Sequence, residues 1–363
     1  MFQESAPPLA SLLQRTRSSM AGNPTPQEQP TAETAPTQAS SRQPPGPPPA
    51  RWGELLQWLI EYRAFILLGL ALTYAVLFVP FFATERNITQ MTTQFSIDGI
   101  ISIGLTILMI AWGIDLGVGA TLALAGVVFA LSQDLGVPMA ALLGVLAGAG
   151  VGIVNGFVVT RMKVNFFIAT LSTMVAVKGL TFIISDETTI YGHADGFGWM
   201  GSAKLGLFEF PALAFFGIGI IAHLIMTQTS LGTYWYAIGG NADASHRAGL
   251  NVNRLFALSF VVAGLCSGIA GVLLASRAVS ANPGVGRDTA LFAISATVIG
   301  GTSLFGGVGN VLGAVAGVMF LGVVRNSLNL LGVSAYWQWV IQGVILVSVV
   351  VSDVYMNRRR RTA

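Results

Sequence analysis

From Ala64 onward the chain alternates long apolar stretches with short polar interruptions. A helix needs about 20 apolar residues to cross the hydrocarbon core. Ten stretches approach or reach that length: approximately 64–82, 88–112, 118–133, 137–160, 165–185, 211–229, 254–276, 288–301, 308–331 and 336–353. The third and eighth are short, as suits a broken or tilted helix enclosed by its neighbours. The pattern predicts an all-α membrane protein, a polytopic bundle of about ten transmembrane helices. Residues 1–50 lack this pattern and hold 11 of the 15 prolines, among Ser, Thr, Gln and Ala. Such a stretch buries too little apolar surface to offset its ordering entropy, so it reads as a disordered Pro-rich tail. It has no apolar region of the signal-peptide kind. Residues 51–357 form the transmembrane domain, and 358–363 a basic C-terminus.

Composition agrees. Of 363 residues, 53% are hydrophobic and 10% charged, against about 25% charged in soluble domains. Mean hydropathy is +0.69. The bilayer is the natural solvent for so much apolar surface. Charge sets the orientation. With both termini in the cytoplasm, 13 Lys and Arg residues fall on the inner side and four, Arg86, Lys204, Arg277 and Arg287, on the outer. Lys178 and Arg325 lie within spans. The one cysteine, Cys266, lies in an apolar run, and His193, His223 and His246 are scattered, so no metal site is expected. No basic and aromatic stripe points to nucleic acid.

Small residues predict how the helices pack. Gly144, Gly148, Gly152 and Gly156 recur every four residues along one helix face, where another backbone can approach. Gly309, Gly313 and Gly317 repeat the device, and Gly264 and Gly268 add a shorter case. GVGATLALAGVVF at 117–129 is similar to GVGNVLGAVAGVMF at 307–320, a weak internal repeat.

The chain carries no energy source of its own. No GxxxxGK[ST] loop exists, and none of the three lysines follows a glycine. Asp98 and Asp115 are the acids nearest the membrane interior and form no relay along a path. An ion-coupled secondary transporter needs such a relay, and a non-transporting scaffold does not need the loop that follows.

Residues 230–252 make a polar, glycine-punctuated loop in which Asn241 or Asp243 could cap a short helix and Gly249 end it. A short helix across the inner face is a lever on which a partner can push. The loop resembles LGxxxYAIGGNxxAAxxSGI, the coupling loop of the ribose-type branch of bacterial ABC importer permeases, through Leu231, Gly232, Tyr236, Ala237, Ile238, Gly239, Gly240, Asn241, Ala244 and Gly249. GIDLGVGATLALAG at 113–126 and VIGGTSLFGGVGNVLGAVAG at 298–317 resemble two further stretches of that family, and FIATLSTM at 167–174 and LNLLGVSAYWQWVIQG at 328–343 add weaker matches. The chain departs from the pattern at Ala290 and Phe292, where the family often has acids, at Arg325, where it often has Asn, and at Gly117 in place of Ser.

The resemblance implies a sugar-carrying permease subunit without an ATPase site, in a bacterial inner membrane. Its partners would be an ABC ATPase subunit, a periplasmic or lipid-anchored sugar-binding protein and a second permease subunit, identical or related. No cofactor would bind this chain, since ATP and Mg are used by the ATPase. Nucleosides, a sugar-like signal molecule or branched-chain amino acids are alternative cargoes. Gly232, Tyr236, Gly239, Gly240, Asn241, Ala244, Arg247 and Gly249 are the expected coupling residues. Polar residues within spans are the candidates for the translocation path: Asp115, Asn155, Asn165, Thr170, Asn326 and Asn329. Outside the spans, loop 186–210 combines four acids with Tyr191, Phe197 and Trp199, as a docking surface, a lid or an aromatic belt would.

Overall fold

The computed structural model describes residues 62–362. The tail at 1–50 and Arg15, Arg17, Arg42 and Arg51 lie outside the described residues. Each of the ten apolar stretches contains a helix. In chain order these are α1 (Arg63–Phe78), α2 (Glu85–Ile110), α3 (Val118–Leu131), α4 (Val137–Thr160) and α5 (Phe166–Ile184). After a short α6 (Trp199–Ser202) come α7 (Phe210–Gln228), two surface helices α8 (Ser230–Gly240) and α9 (Ala242–Arg247), then α10 (Val252–Ala278), α11 (Thr289–Ile299), α12 (Val311–Leu330) and α13 (Ala335–Thr362). Among the described residues six of them, α2, α4, α5, α7, α10 and α12, are long and apolar enough to cross a membrane. The protein is a helical membrane protein.

Local chemistry explains where the helices depart from the apolar pattern. α1 stops at Phe78 rather than near 82, because Val79 precedes Pro80 and is extended (ψ 116°). α12 starts at Val311 rather than 308: Gly306 and Gly307 have positive φ, and the Asn310 side chain accepts from the Leu312 amide at 2.9 Å. α3 and α11, the short spans, have 14 and 11 residues. Irregular backbone at 111–117 precedes α3, and irregular backbone at 300–310 follows α11. The two copies of the weak repeat, at 117–129 and 307–320, both sit where a helix starts after such a break. In the second copy the helix begins later, beyond the glycines.

α2 is the central helix, packed against α7, α10, α11 and α12. Its many hydroxyls are buried without being orphaned. Thr92, Thr93, Ser102 and Thr106 each donate to a carbonyl one turn back. α3 and α4 pack on one side of α10, and α5 packs on α3 and α4. The contact of α4 with α10 is a seam of glycines. A Cβ at Gly148 would lie 2.6 Å from the Gly264 carbonyl oxygen and from the Gly268 Cα, and one at Gly152 would lie 2.5 Å from the Phe260 carbonyl oxygen. On the far side, Arg63 Nη2 donates to the Val298 carbonyl at 2.8 Å, a cation on the C-terminal carbonyls of α11.

Loop 186–210 is anchored. Ile190–Tyr191 pairs antiparallel with Ser280–Ala281. Phe197 is buried and stacks on Phe129 with centroids 4.4 Å apart. Ser276 Oγ donates to the Phe197 carbonyl at 2.7 Å and accepts from the Gly201 amide at 2.9 Å. Tyr191 and Trp199 remain exposed, so the three aromatics do not share one role.

Gly148→Leu is expected to destabilise the protein by about 1–3 kcal/mol through overpacking of the seam. Gly150→Leu, on a face with nothing within 4 Å, is expected to leave stability nearly unchanged. The thermal unfolding midpoints of the two variants in detergent check this.

Candidate functional site

Where one lever helix was expected there are two. Thr229 and Asn241 cap them: Thr229 Oγ1 accepts from the Gly232 amide at 3.4 Å and Asn241 Oδ1 from the Ala244 amide at 2.9 Å. Gly249, at φ +87°, ends α9. Asn241, Ala244, Arg247 and Gly249 are exposed. α8 turns its other face inward. Gly232, Trp235 and Ile238 are buried, and Trp235 Nε1 donates to the Leu255 carbonyl at 2.9 Å, tying α8 to the start of α10. Trp235 escaped the sequence reading because the loop reads as polar overall.

The glycines of α8 meet both irregular breaks. The Ile110 carbonyl, at the end of α2, accepts from the Gly307 amide at 2.9 Å. Gly239 lies against that same carbonyl, so closely that no Cβ fits. A Cβ at Gly307 would fall 2.7 Å from the Gly240 Cα, and one at Gly306 2.8 Å from the Gly239 carbonyl oxygen and from Trp112 Cβ. Tyr236 Oη donates to the Gly309 carbonyl at 2.8 Å. Partial burial pushes this phenol above its ordinary pKa, so it remains a donor at neutral pH. Trp112 sits at φ +72° with its ring edge-on to Phe166. Residues 110–112, just ahead of stretch 113–126, thus meet stretches 230–252 and 298–317, distant in sequence, at one junction.

The candidate path residues fall into separate groups. Asp115 is buried in the first break and accepts from the Gly117 amide at 2.7 Å and from Asn155 Nδ2 at 3.0 Å. The Asn155 side-chain oxygen Oδ1 is buried without a hydrogen bond. Thr170 is buried beside them, its carbonyl next to Gly117. Asn165 caps α5, accepting from the Phe167 amide at 2.9 Å. Asn326 exchanges two hydrogen bonds with Asn87, of 3.0 and 2.8 Å. Asn329 accepts from Gln338 at 2.7 Å, joining α12 to α13. The packing glycines are placed differently again. Gly144 and Gly156 continue the α4 seam, Gly309 lies against Ile110 and Thr302, and Gly313 lies against the Gly300 carbonyl.

A cavity of about 390 Å³ opens at the other end of α10, bordered by Gln94, Asp98, Arg277, Arg287, Asp288 and Arg325, with Phe292 in its wall. None of the six path candidates borders it. Arg325 and Asp98, both in its lining, pair at 3.7 Å. The junction and the cavity are separated by the stretch of α10 from Leu255 to Arg277, about 33 Å at 1.5 Å per residue.

Comparison with known proteins identifies the family. Residues 87–350 match the family described as branched-chain amino acid transport system / permease component. The chain is 36% identical over 305 residues to the ribose import permease protein RbsC of Escherichia coli K12, covering 82% of this chain and 94% of that protein. It is 37% identical over 308 residues to the L-arabinose transport system permease protein AraH of the same strain (83% and 93%). It is 35% identical over 298 residues to the D-allose transport system permease protein AlsC, also of that strain (81% and 91%). No solved structure matches. The chain belongs to this family of membrane transport permeases.

A double-mutant cycle tests the Asn87–Asn326 pair. Replacing either residue with Leu leaves the other without its partner, and the coupling energy is expected to be about 0.6 kcal/mol and at most about 1.7 kcal/mol. Unfolding in mixed micelles measures it.

Proposed function

We propose that the chain is the permease subunit of an ATP-binding-cassette importer that carries a sugar across the bacterial cytoplasmic membrane. The observation that carries this reading is the junction of α8 with both backbone breaks. α8 rests through glycine backbone on the points where the bundle is irregular, and α9, exposed on its outer side, follows it. A force on α8 and α9 reaches Ile110, Trp112 and Gly306–Gly309 without an intervening flexible side chain. Such a device serves an external motor. In this reading a separate ATPase subunit binds ATP and Mg and pushes on the exposed face of α9, including Arg247. A binding protein delivers solute at the cavity end, and a second permease subunit, identical or related, completes the pore.

In the same reading all ten apolar helices cross the membrane with both termini in the cytoplasm, and residues 1–50 and 358–363 are cytoplasmic extensions. The 13 to four division of Lys and Arg supports this orientation. So does the clustering at one end of Lys163, whose Nζ donates to Asn253 at 3.1 Å, with α8 and α9. Sugar is favoured as cargo by the polar, charged lining of the cavity and by the ribose, L-arabinose and D-allose permeases among the relatives. The family description favours branched-chain amino acids as the second reading.

Gly239→Val is expected to abolish ATP-dependent uptake while leaving the chain in the membrane with its ATPase bound, because a side chain there collides with the Ile110 carbonyl. Gly240→Ala meets open space and is expected to retain most of the uptake. Affinity purification in mild detergent with mass spectrometry checks the assembly, and solute uptake into vesicles checks the coupling. Equal uptake by the Val variant and the native chain counts against the junction as the lever. Purification of the chain without an ATPase, with uptake driven by an ion gradient, counts against the importer.

A further inference from the structure

The cavity at the end of α10 has an unbalanced charge. Three guanidinium groups, Arg277, Arg287 and Arg325, border it against two carboxylates, Asp98 and Asp288. Asp98 is committed to Arg325 at 3.7 Å. Arg277 and Arg287 make no ion pair and no side-chain hydrogen bond among the described residues. The acid whose charge reaches Arg277, Glu209, is held by Lys204 at 3.7 Å and by the Thr93 hydroxyl at 2.9 Å. Arg277 is half-buried at the end of a membrane helix, where an uncompensated charge is expensive. The surplus is one positive charge, in a space of about 390 Å³, within the range of small-molecule sites.

Phe292 and Arg325 stand in this same wall. A guanidinium presents paired donors that match a carboxylate or phosphate, and a neutral hydroxyl cannot use that fork as fully.

We propose that the cavity binds an anionic sugar, a monosaccharide carrying a carboxylate or a phosphate, through Arg277 and Arg287, with the Asp98–Arg325 pair fixing the opposite wall. The proposal rests on the importer reading above and names the class of its cargo. A carboxylate neutralises the surplus charge, and a phosphate monoester, of about −1.5 to −2, more than does so. Gln94 and Gln342 supply neutral donors and acceptors for the hydroxyls of the ring.

The test uses the assembled importer, the chain with its co-purifying ATPase and binding protein, in proteoliposomes. Uptake of labelled D-galacturonate, D-ribose 5-phosphate and D-ribose is measured with ATP inside. The expected result is ATP-dependent uptake of one anionic sugar in preference to D-ribose, and the two anionic probes separate carboxylate from phosphate. Arg277→Gln and Arg287→Gln are each expected to lower that uptake by about tenfold or more, the usual scale for losing one charged hydrogen bond. Arg277→Lys is expected to restore part of it. Arg287→Gln alters an exposed, unpaired side chain, so it reads out even if Arg277→Gln folds poorly. Uptake of D-ribose with no uptake of, or competition by, either anionic sugar overturns the proposal and leaves the importer standing. Equal loss of all uptake in the arginine variants, together with loss of the binding protein on purification, also overturns it, since the arginines then serve docking. Absence of any ATPase from the purified assembly brings down the importer reading and this proposal with it.

Discussion

Backbone that leaves the helix within the apolar bundle must find its hydrogen bonds inside the protein, and the arrangement of this chain follows from that demand. Residues 111–117 and 300–310 are the two places where it arises. Each is satisfied partly by itself. The Gly113 amide donates to the Leu108 carbonyl and the Thr302 amide to Thr297, while Asp115 accepts from the Gly117 amide. The remainder is mutual. Gly307 donates to Ile110, so that one break closes the other, and Tyr236 donates to Gly309 from the surface. The breaks therefore cannot move independently of each other or of α8.

The same demand explains the glycines. Where backbone meets backbone, a side chain would hold the surfaces apart and strand their carbonyls. Gly239 against Ile110, and Gly148 against Gly264 and Gly268, are contacts of this kind. The second seam makes α4 and α10 a rigid pair. α10 begins at the carbonyl held by Trp235 and ends at the arginine that borders the cavity. The surface helices and the cavity thus lie near the two ends of one continuous helix. α4 and α5 turn large apolar side chains outward, among them Leu146, Ile153, Phe157, Ile168 and Val175, in keeping with a lipid environment or a neighbouring subunit.

Apolar stretch length and composition alone marked the helical stretches and the membrane environment, because a spanning helix satisfies its own backbone and needs only apolar side chains to be stable in lipid. Short-range signals were equally legible: Asn241 before α9, Gly249 after it, and the four-residue glycine period on α4 are local features of the chain. Tertiary structure alone decided what those features meet. Gly239 carries no mark in the sequence that it faces Ile110, 129 positions away by their numbers. Asp98 and Arg325 were each recognisable as intramembrane charges, yet their pairing and their place beside Arg277 and Arg287 depend on how α2, α10, α11 and α12 come together. The polar residues singled out from the sequence were dispersed for the same reason. A polar side chain in a span must be satisfied, but whether by a neighbouring helix, as Asn326 is by Asn87, or by facing a cavity is fixed by the rotation and packing of whole helices, which no local pattern encodes.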